Sequence, residues 1–319
     1  MLQGIVHPNF ADVATCLRRI LPRKGPGGAA ACVYYEGEKV VDIWGGTRNR
    51  AGEPWESDTV SISFSTTKGV ASTLLHMYVD RGAIDLDAPV ATYWPEFAQG
   101  GKESITVRQV LCHEAGLYGL ADMVEHGNEM LDWDRMVERL SAATPRHSPG
   151  AAHGYHAMTY GWLAGELVRR VAGGKPFSEL LESEIAQPLG LDGLFCGVPQ
   201  DQRHRCAELM AAGMDGTAEQ RAARTEKIHR RAERLARILR FLRIPWDPTQ
   251  SLAALVAPKM DEVDFNGDDF RAASIPAANG MFTARSLARV YACLAGGGEL
   301  DGVRLLSDEA VGRAAARAA

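Results

Sequence analysis

The sequence predicts a mixed α+β protein, and three observations carry that prediction. Strand-like runs are confined to the first 64 residues. From residue 65 onward the apolar residues recur at helical spacing. Glycine, at 33 of 319 residues, supplies the turns that such a fold needs. At roughly 150 residues per domain the length suggests one large domain or two smaller ones. Hydrophobic residues make up 46% and charged residues 24%, an ordinary folded composition that excludes a disordered chain. The net charge of −5 gives no bulk attraction to nucleic acid.

Taken in order, residues 10–21 carry Phe10, Val13, Leu17, Ile20 and Leu21 at helical spacing and predict a short helix, closed by PRKGPGG. Two apolar, β-branched and aromatic runs, 29–35 and 39–44, flank Glu36-Gly37-Glu38 and predict a hairpin that ends at Gly45-Gly46. A further strand-like run covers 59–64. The period then changes: Val70, Leu74, Leu75 and Tyr78 mark one face of a helix that stops near Gly82. IDLDAPVATYWPEF reads as a loop. Helices are expected over 106–112, 131–142, a stretch holding Trp162, Leu163, Leu167, Val168 and Val171, then 177–185, and 283–294 with Thr283 as N-cap. The final SDEAVGRAAARAA also reads as helix.

Residues 219–243 stand apart. Nine Lys/Arg face three Glu, and Ile228, Ala232, Leu235, Leu239 and Leu242 line one face. This is a basic amphipathic helix. Its apolar stripe is expected to pack down, or to form a lid, with the arginines solvated; nucleic acid or acidic membrane is the minor alternative.

No apolar run approaches the roughly 18 residues of a membrane span. MLQGIVHPNF lacks a basic start and an apolar segment, so no secretory signal is expected and the location expected is cytoplasmic. The cysteines (Cys16, Cys32, Cys112, Cys196, Cys206, Cys293) form no Cys-x-x-Cys pair and are expected to be reduced.

Ser65-Thr-Thr-Lys68 is the one Ser-x-x-Lys in the sequence. It lies where a strand-like run turns into a helix, and one helical turn puts both side chains on one face. Free N–H groups at a helix start favour an alkoxide and an oxyanion. A lysine in a partly desolvated cleft can lose its proton and serve as a base. On the motif alone, Ser65 as a mere N-cap and Lys68 as a solvated residue fit equally well. Tyr155, in a loop ahead of the Trp162 helix, gains meaning only beside Ser65, as a second group that passes a proton. Other routes fail. There is no Gly-x-Ser-x-Gly elbow and no His-Glu-x-x-His. His153-x-x-His156 lacks a clear third metal ligand. Gly25-x-Gly27-x-x-Ala30 precedes a strand instead of following one. The Glu262 to Gly267 stretch has Ala273 where a calcium loop needs a glutamate. No metal or organic cofactor is expected.

The chain resembles the serine beta-lactamase-like family: class C beta-lactamases, D-alanyl-D-alanine carboxypeptidases and most of all family VIII carboxylesterases. The matching stretches are VVDIWGG, SFSTTKGVAS, DRGAIDLDAPVATYWPEF, ITVRQVLCHEAGL, HGYHAMTYGWLAGELVRR, IAQPLGLD and IPAANGMFTARSLARVY, in that order. The resemblance implies Ser65 as nucleophile, Lys68 as its base partner and Tyr155 as the second-motif tyrosine. It implies an antiparallel sheet domain flanked by helices (1–80 and 270–319) and a mostly helical domain (81–269) carrying the basic insertion at 219–243. The expected activity is hydrolysis of small carboxylic esters through an acyl-enzyme, with a beta-lactamase, a D-amino-peptidase or a non-catalytic binding protein as alternatives. The expected partner is a small ester; neither nucleic acid nor a membrane span is expected.

Two departures from the family pattern matter. Ala157 stands where Tyr-x-Asn has its asparagine, which tilts the expectation from amides toward esters. The third motif (Lys-Thr-Gly, His-x-Gly or Trp-x-Gly) is not found after the Thr283 helix. The expectation is therefore a C-terminal truncation lacking the closing strands, nearly inactive and poorly soluble unless another chain covers the open edge.

Overall fold

A computed structural model describes residues 2–210, 217–244 and 247–316. In chain order the elements are β1 (Gln3–Val6), α1 (Ala11–Ile20), β2 (Gly28–Tyr35), β3 (Glu38–Gly46), β4 (Ser61–Ile62), α2 (Thr67–Asp80), α3 (Val107–Leu111), α4 (Leu120–Met123), α5 (Trp133–Ala142), α6 (Thr159–Val171), α7 (Phe177–Leu181) and β5 (Leu194–Phe195). There follow α8 (Ala218–Phe241), α9 (Pro248–Leu255), α10 (Asp268–Ala272), β6 (Met281–Phe282), α11 (Ala284–Ala295), β7 (Glu299–Leu300), β8 (Val303–Arg304) and α12 (Asp308–Ala315). Residues 317–319, the end of the expected last helix, lie outside the described residues.

The hairpin forms as its turn dictates. Glu36 and Gly37 both take positive φ, 50° and 82°, the pairing that a two-residue turn between right-twisted strands demands. β3 then sits between β2 and β1 in an antiparallel sheet. β1 was not expected from its sequence: Gln3–Val6 is too short and too exposed to show alternation. α1 packs Leu17 onto Val41 and Ile43 of the sheet, and α11 packs against β2.

The helical part is organised around α6. The sequence shows an apolar stripe there, yet Thr159 to Val168 is buried on every side. Small residues make this possible. A Cβ on Gly161 would lie 2.4 Å from the backbone nitrogen of Ala277, so only glycine lets α6 approach that segment. Glu166 is buried on the same helix and is held by Trp133 Nε1 (2.9 Å), Arg169 Nε (2.7 Å) and Arg170 Nε (2.7 Å). A buried carboxylate persists only when its oxygens are met this fully.

The run over 59–64 is strand only at Ser61–Ile62, with Phe64 already turning into a short 3-10 helix. β4 and β5 both pair with β6, which gathers distant parts of the chain beside the start of α2. In α8 the expected packing face is overturned in part. Ala232 and Ala236 are buried, but Ile228, Leu235 and Leu242 are exposed. α8 contacts α9, and the small alanines are the residues it buries while the larger apolar ones stay in solvent.

Candidate active site

Ser65 stands at the entry to α2, on the solvent side of the 3-10 turn Phe64–Thr66. Phe64, just before it, has φ 43°, a left-handed conformation unfavourable for a bulky residue. Three bonds hold the turn there. Ser63 N–H donates to Gly280 O (2.8 Å), Gly280 N–H donates to Thr67 Oγ1 (3.0 Å), and Thr67 Oγ1–H donates to Phe64 O (2.6 Å). The strained residue is therefore pinned from the β6 side.

Lys68 follows one turn later and is only 8% exposed. Its Nζ donates to Ser65 Oγ at 3.2 Å, to Ala157 O at 2.6 Å and to Ala277 O at 2.9 Å. Burial pushes the ammonium below the ordinary lysine range, against the opposing influence of Tyr155. Tyr155 is 48% exposed and brings its hydroxyl to Ser65 Oγ, 2.9 Å away, as donor. Lys68 Nζ lies 5.0 Å from the centre of the Tyr155 ring. The three residues expected from the sequence are thus brought together, from positions 90 apart. Ala157, at the position of the missing asparagine, is buried and contributes its carbonyl to Lys68.

Sequence reasoning missed both carbonyls of the lysine's cradle. Ala277 O is presented by a turn that Asn279 ties down: its Oδ1 accepts from Ile275 N–H (2.7 Å) and its Nδ2 donates to Phe270 O (3.0 Å) and Ala273 O (2.8 Å). Backbone carbonyls carry no side-chain signature, and only the IPAANGMF stretch marked the place. Lys102 offers a contrast. It is fully buried and donates to Gln99 O, Ser141 O and Ala143 O, but no nucleophile is among its partners. That lysine clamps a loop, whereas one donor of Lys68 is aimed at a hydroxyl.

His113 and His156 stand behind Tyr155, with His113 5.0 Å from the tyrosine ring and 5.4 Å from His156. His113 Nδ1 accepts from His156 N–H (3.1 Å), and His156 Nε2 accepts from Leu117 N–H (3.0 Å). His153 instead turns outward to Cys112 O and Glu114. Burial, then the charge of Lys68, holds His113 down to about 4, and burial, then His113, holds His156 down to about 3. Both imidazoles are therefore neutral in the fold and titrate near 6.5 in the unfolded chain. Their contribution is complete above pH 6.5. As pH falls below that value the unfolded state binds protons that the folded state refuses, so stability declines until about pH 4 and then 3. The fully buried His156 adds up to about 1.4 kcal/mol per pH unit to this slope. Melting temperature measured from pH 7 down to 4.5 checks this. His156→Gln, which keeps an acceptor for Leu117, should flatten the decline, and parallel curves would clear His156 of the effect.

A cleft of about 290 Å³ opens beside Tyr155, lined also by Tyr118, His153, Gln250, Ala254 and Leu255. A larger hollow, about 910 Å³, lies between α7 and the 194–205 segment. It contains none of Ser65, Lys68 and Tyr155, whereas the smaller cleft has Tyr155 in its wall. The six cysteines are unpaired thiols. Among the described residues no helix is long and apolar enough to cross a membrane.

A family profile described as Beta-lactamase matches residues 13–319. The chain belongs to the beta-lactamase family, a family of serine hydrolases, and has the beta-lactamase/transpeptidase-like fold. It is 41% identical over 312 residues to Esterase/beta-lactamase LipL of Mycobacterium tuberculosis, covering 97% of this chain and 68% of that protein. It is 30% identical to Esterase EstB of Burkholderia gladioli, covering 56% of this chain and 49% of that one. Among solved structures it is similar to a family VIII carboxylesterase (TM-score 0.80, 35% identity, 98% of this chain and 76% of that one). It is also similar to a penicillin-binding protein homolog from Caulobacter crescentus (TM-score 0.82, 35% identity, 100% of this chain and 78% of that one).

Proposed function

We propose that the protein hydrolyses small carboxylic esters through an acyl-enzyme on Ser65, with Lys68 and Tyr155 sharing the proton, in the cytoplasm. The observation that carries this reading is convergence: two proton-bearing groups from separate elements meet one exposed hydroxyl, at 3.2 and 2.9 Å. The carbonyl cradle supports Lys68 as base. A neutral amine has two N–H bonds and one lone pair. With the two N–H bonds directed to Ala157 O and Ala277 O, the lone pair is left for the Ser65 proton.

In the forward step Ser65 Oγ–H gives its proton to Lys68 Nζ, and the oxygen bonds to the acyl carbon. The oxyanion meets the Ser65 N–H at the positive end of α2. As the C–O bond to the alcohol breaks, Tyr155 passes its proton to the leaving oxygen and regains one from Lys68. Water then attacks the acyl carbon by the same path reversed, and the acid departs.

Tyr155→Phe tests this directly, because the side chain is half exposed and its ring contacts survive. Turnover of a short-chain nitrophenyl ester should fall by roughly 10²–10⁴, the range for a lost acid/base group, with the melting temperature unchanged. Retention of most of the turnover would make Tyr155 structural. The second reading, a beta-lactamase or D-amino-peptidase, is favoured by the penicillin-binding neighbour. Ala157 weighs against it, since its side chain cannot read an amide. Nitrocefin turnover equal to or above that of the ester would reverse the order of the two.

A further inference from the structure

We propose that the exposed face of α8 is a docking surface for anionic lipid. The helix turns Ala232 and Ala236 toward the protein and leaves Ile228, Leu235, Ile238, Phe241 and Leu242 in solvent, Phe241 at 87% exposure. At 100° per residue these five fall in one sector of the helix, beside the packed face and not within it. Lys227, Arg231 and Arg234 occupy the same sector, at the three- and four-residue spacing that makes them neighbours of the apolar side chains. Glu219, Glu226 and Glu233 all lie on the other exposed flank, so no carboxylate interrupts the sector.

Each ingredient selects the occupant. Five large apolar side chains gain from leaving water, which a solvated phosphodiester backbone does not offer them. Interleaved cations at the rim of an apolar strip suit a helix lying in the headgroup plane, with its apolar residues below and its charges at the phosphates. A second copy would set the same arginines against each other across a two-fold interface, at a repulsive cost. The rest of the chain is acidic, so attraction to an anionic surface is concentrated on this helix and orients the protein on contact. α8 is followed in the chain by α9, whose Gln250, Ala254 and Leu255 wall the cleft at Tyr155. Docking through α8 would thus engage the element next to the site. The docking proposal does not depend on the ester-hydrolase reading.

The experiment is co-sedimentation with vesicles of phosphatidylcholine alone and of phosphatidylcholine mixed with phosphatidylglycerol, at low and high salt. The expected result is binding to the anionic vesicles that falls at least about tenfold without the anionic lipid or when salt is raised severalfold. Ile238→Ser with Phe241→Ser, and separately Arg231→Glu with Arg234→Glu, should each cut binding by at least about tenfold. Their melting temperature and fluorophosphonate labelling should stay at the parent level, since these side chains are exposed and outside the site. Equal binding to both vesicle types, no binding at low salt, or apolar variants that bind like the parent would overturn the proposal. So would concentration-dependent dimerisation abolished by the serine pair without vesicle binding, or duplex DNA binding that the serine pair leaves intact while vesicles are ignored.

Discussion

Ser65→Ala, compared with its parent in a form that carries the third motif, is expected to abolish both hydrolysis of a short-chain nitrophenyl ester and covalent labelling by a fluorophosphonate. The loss in turnover should be on the order of 10⁶, the scale seen when a nucleophile is removed from a cooperating set of catalytic groups. The two partners that converge on Ser65 Oγ would still be present, but with no oxygen to activate. Because Ser65 is exposed, the variant should fold and melt as the parent does. Labelling of the alanine variant at the parental rate would remove Ser65 as nucleophile while leaving the fold assignment standing.

Lys68→Met should be nearly as severe and should differ in kind. The thioether fills the space but cannot accept the Ser65 proton, so turnover should fall by at least about 10²–10⁴. Ala157 O and Ala277 O also lose the donor they share, in a buried place, and the variant should be less stable by about 1–3 kcal/mol. Lys68→Arg separates charge from base. A guanidinium keeps the positive charge and the donors but does not deprotonate in proteins, so its turnover should collapse as well. An arginine variant that folds and keeps parental turnover would mean that Lys68 acts as a fixed charge. In the parent the active form is the neutral amine, so the rate rises with pH through the Lys68 pKa. Burial moves that limb below the ordinary lysine range of about 10.4.

Much of the site was legible because it is encoded locally. Ser65 and Lys68 are one helical turn apart, and the change of period at residue 65 marked where the helix begins. Tyr155 gains a role only beside Ser65 and through the resemblance, since ninety residues separate the two and nothing local distinguishes it from a packed tyrosine. The carbonyls of Ala157 and Ala277 could not be read at all. Any residue offers a backbone oxygen, and whether it faces a lysine depends on how α6 and the Asn279 turn pack. The burial of α8 is of the same kind. Its periodicity marks an apolar face, but burial falls on Ala232 and Ala236 and the larger residues remain in water.

Spacing or turn chemistry within a few residues encodes the hairpin, the helical middle, the Ser-x-x-Lys turn and the basic helix. Three features depend on how the chain packs. Packing pinned the strained Phe64 through Gly280, so that Ser65 faces outward. It enclosed Lys68 between carbonyls from two distant segments, and it turned one flank of α8 to solvent. The physical reason is common to all three. Desolvation and the meeting of donors with acceptors depend on which surfaces come into contact, and that is settled by the packing of the whole chain.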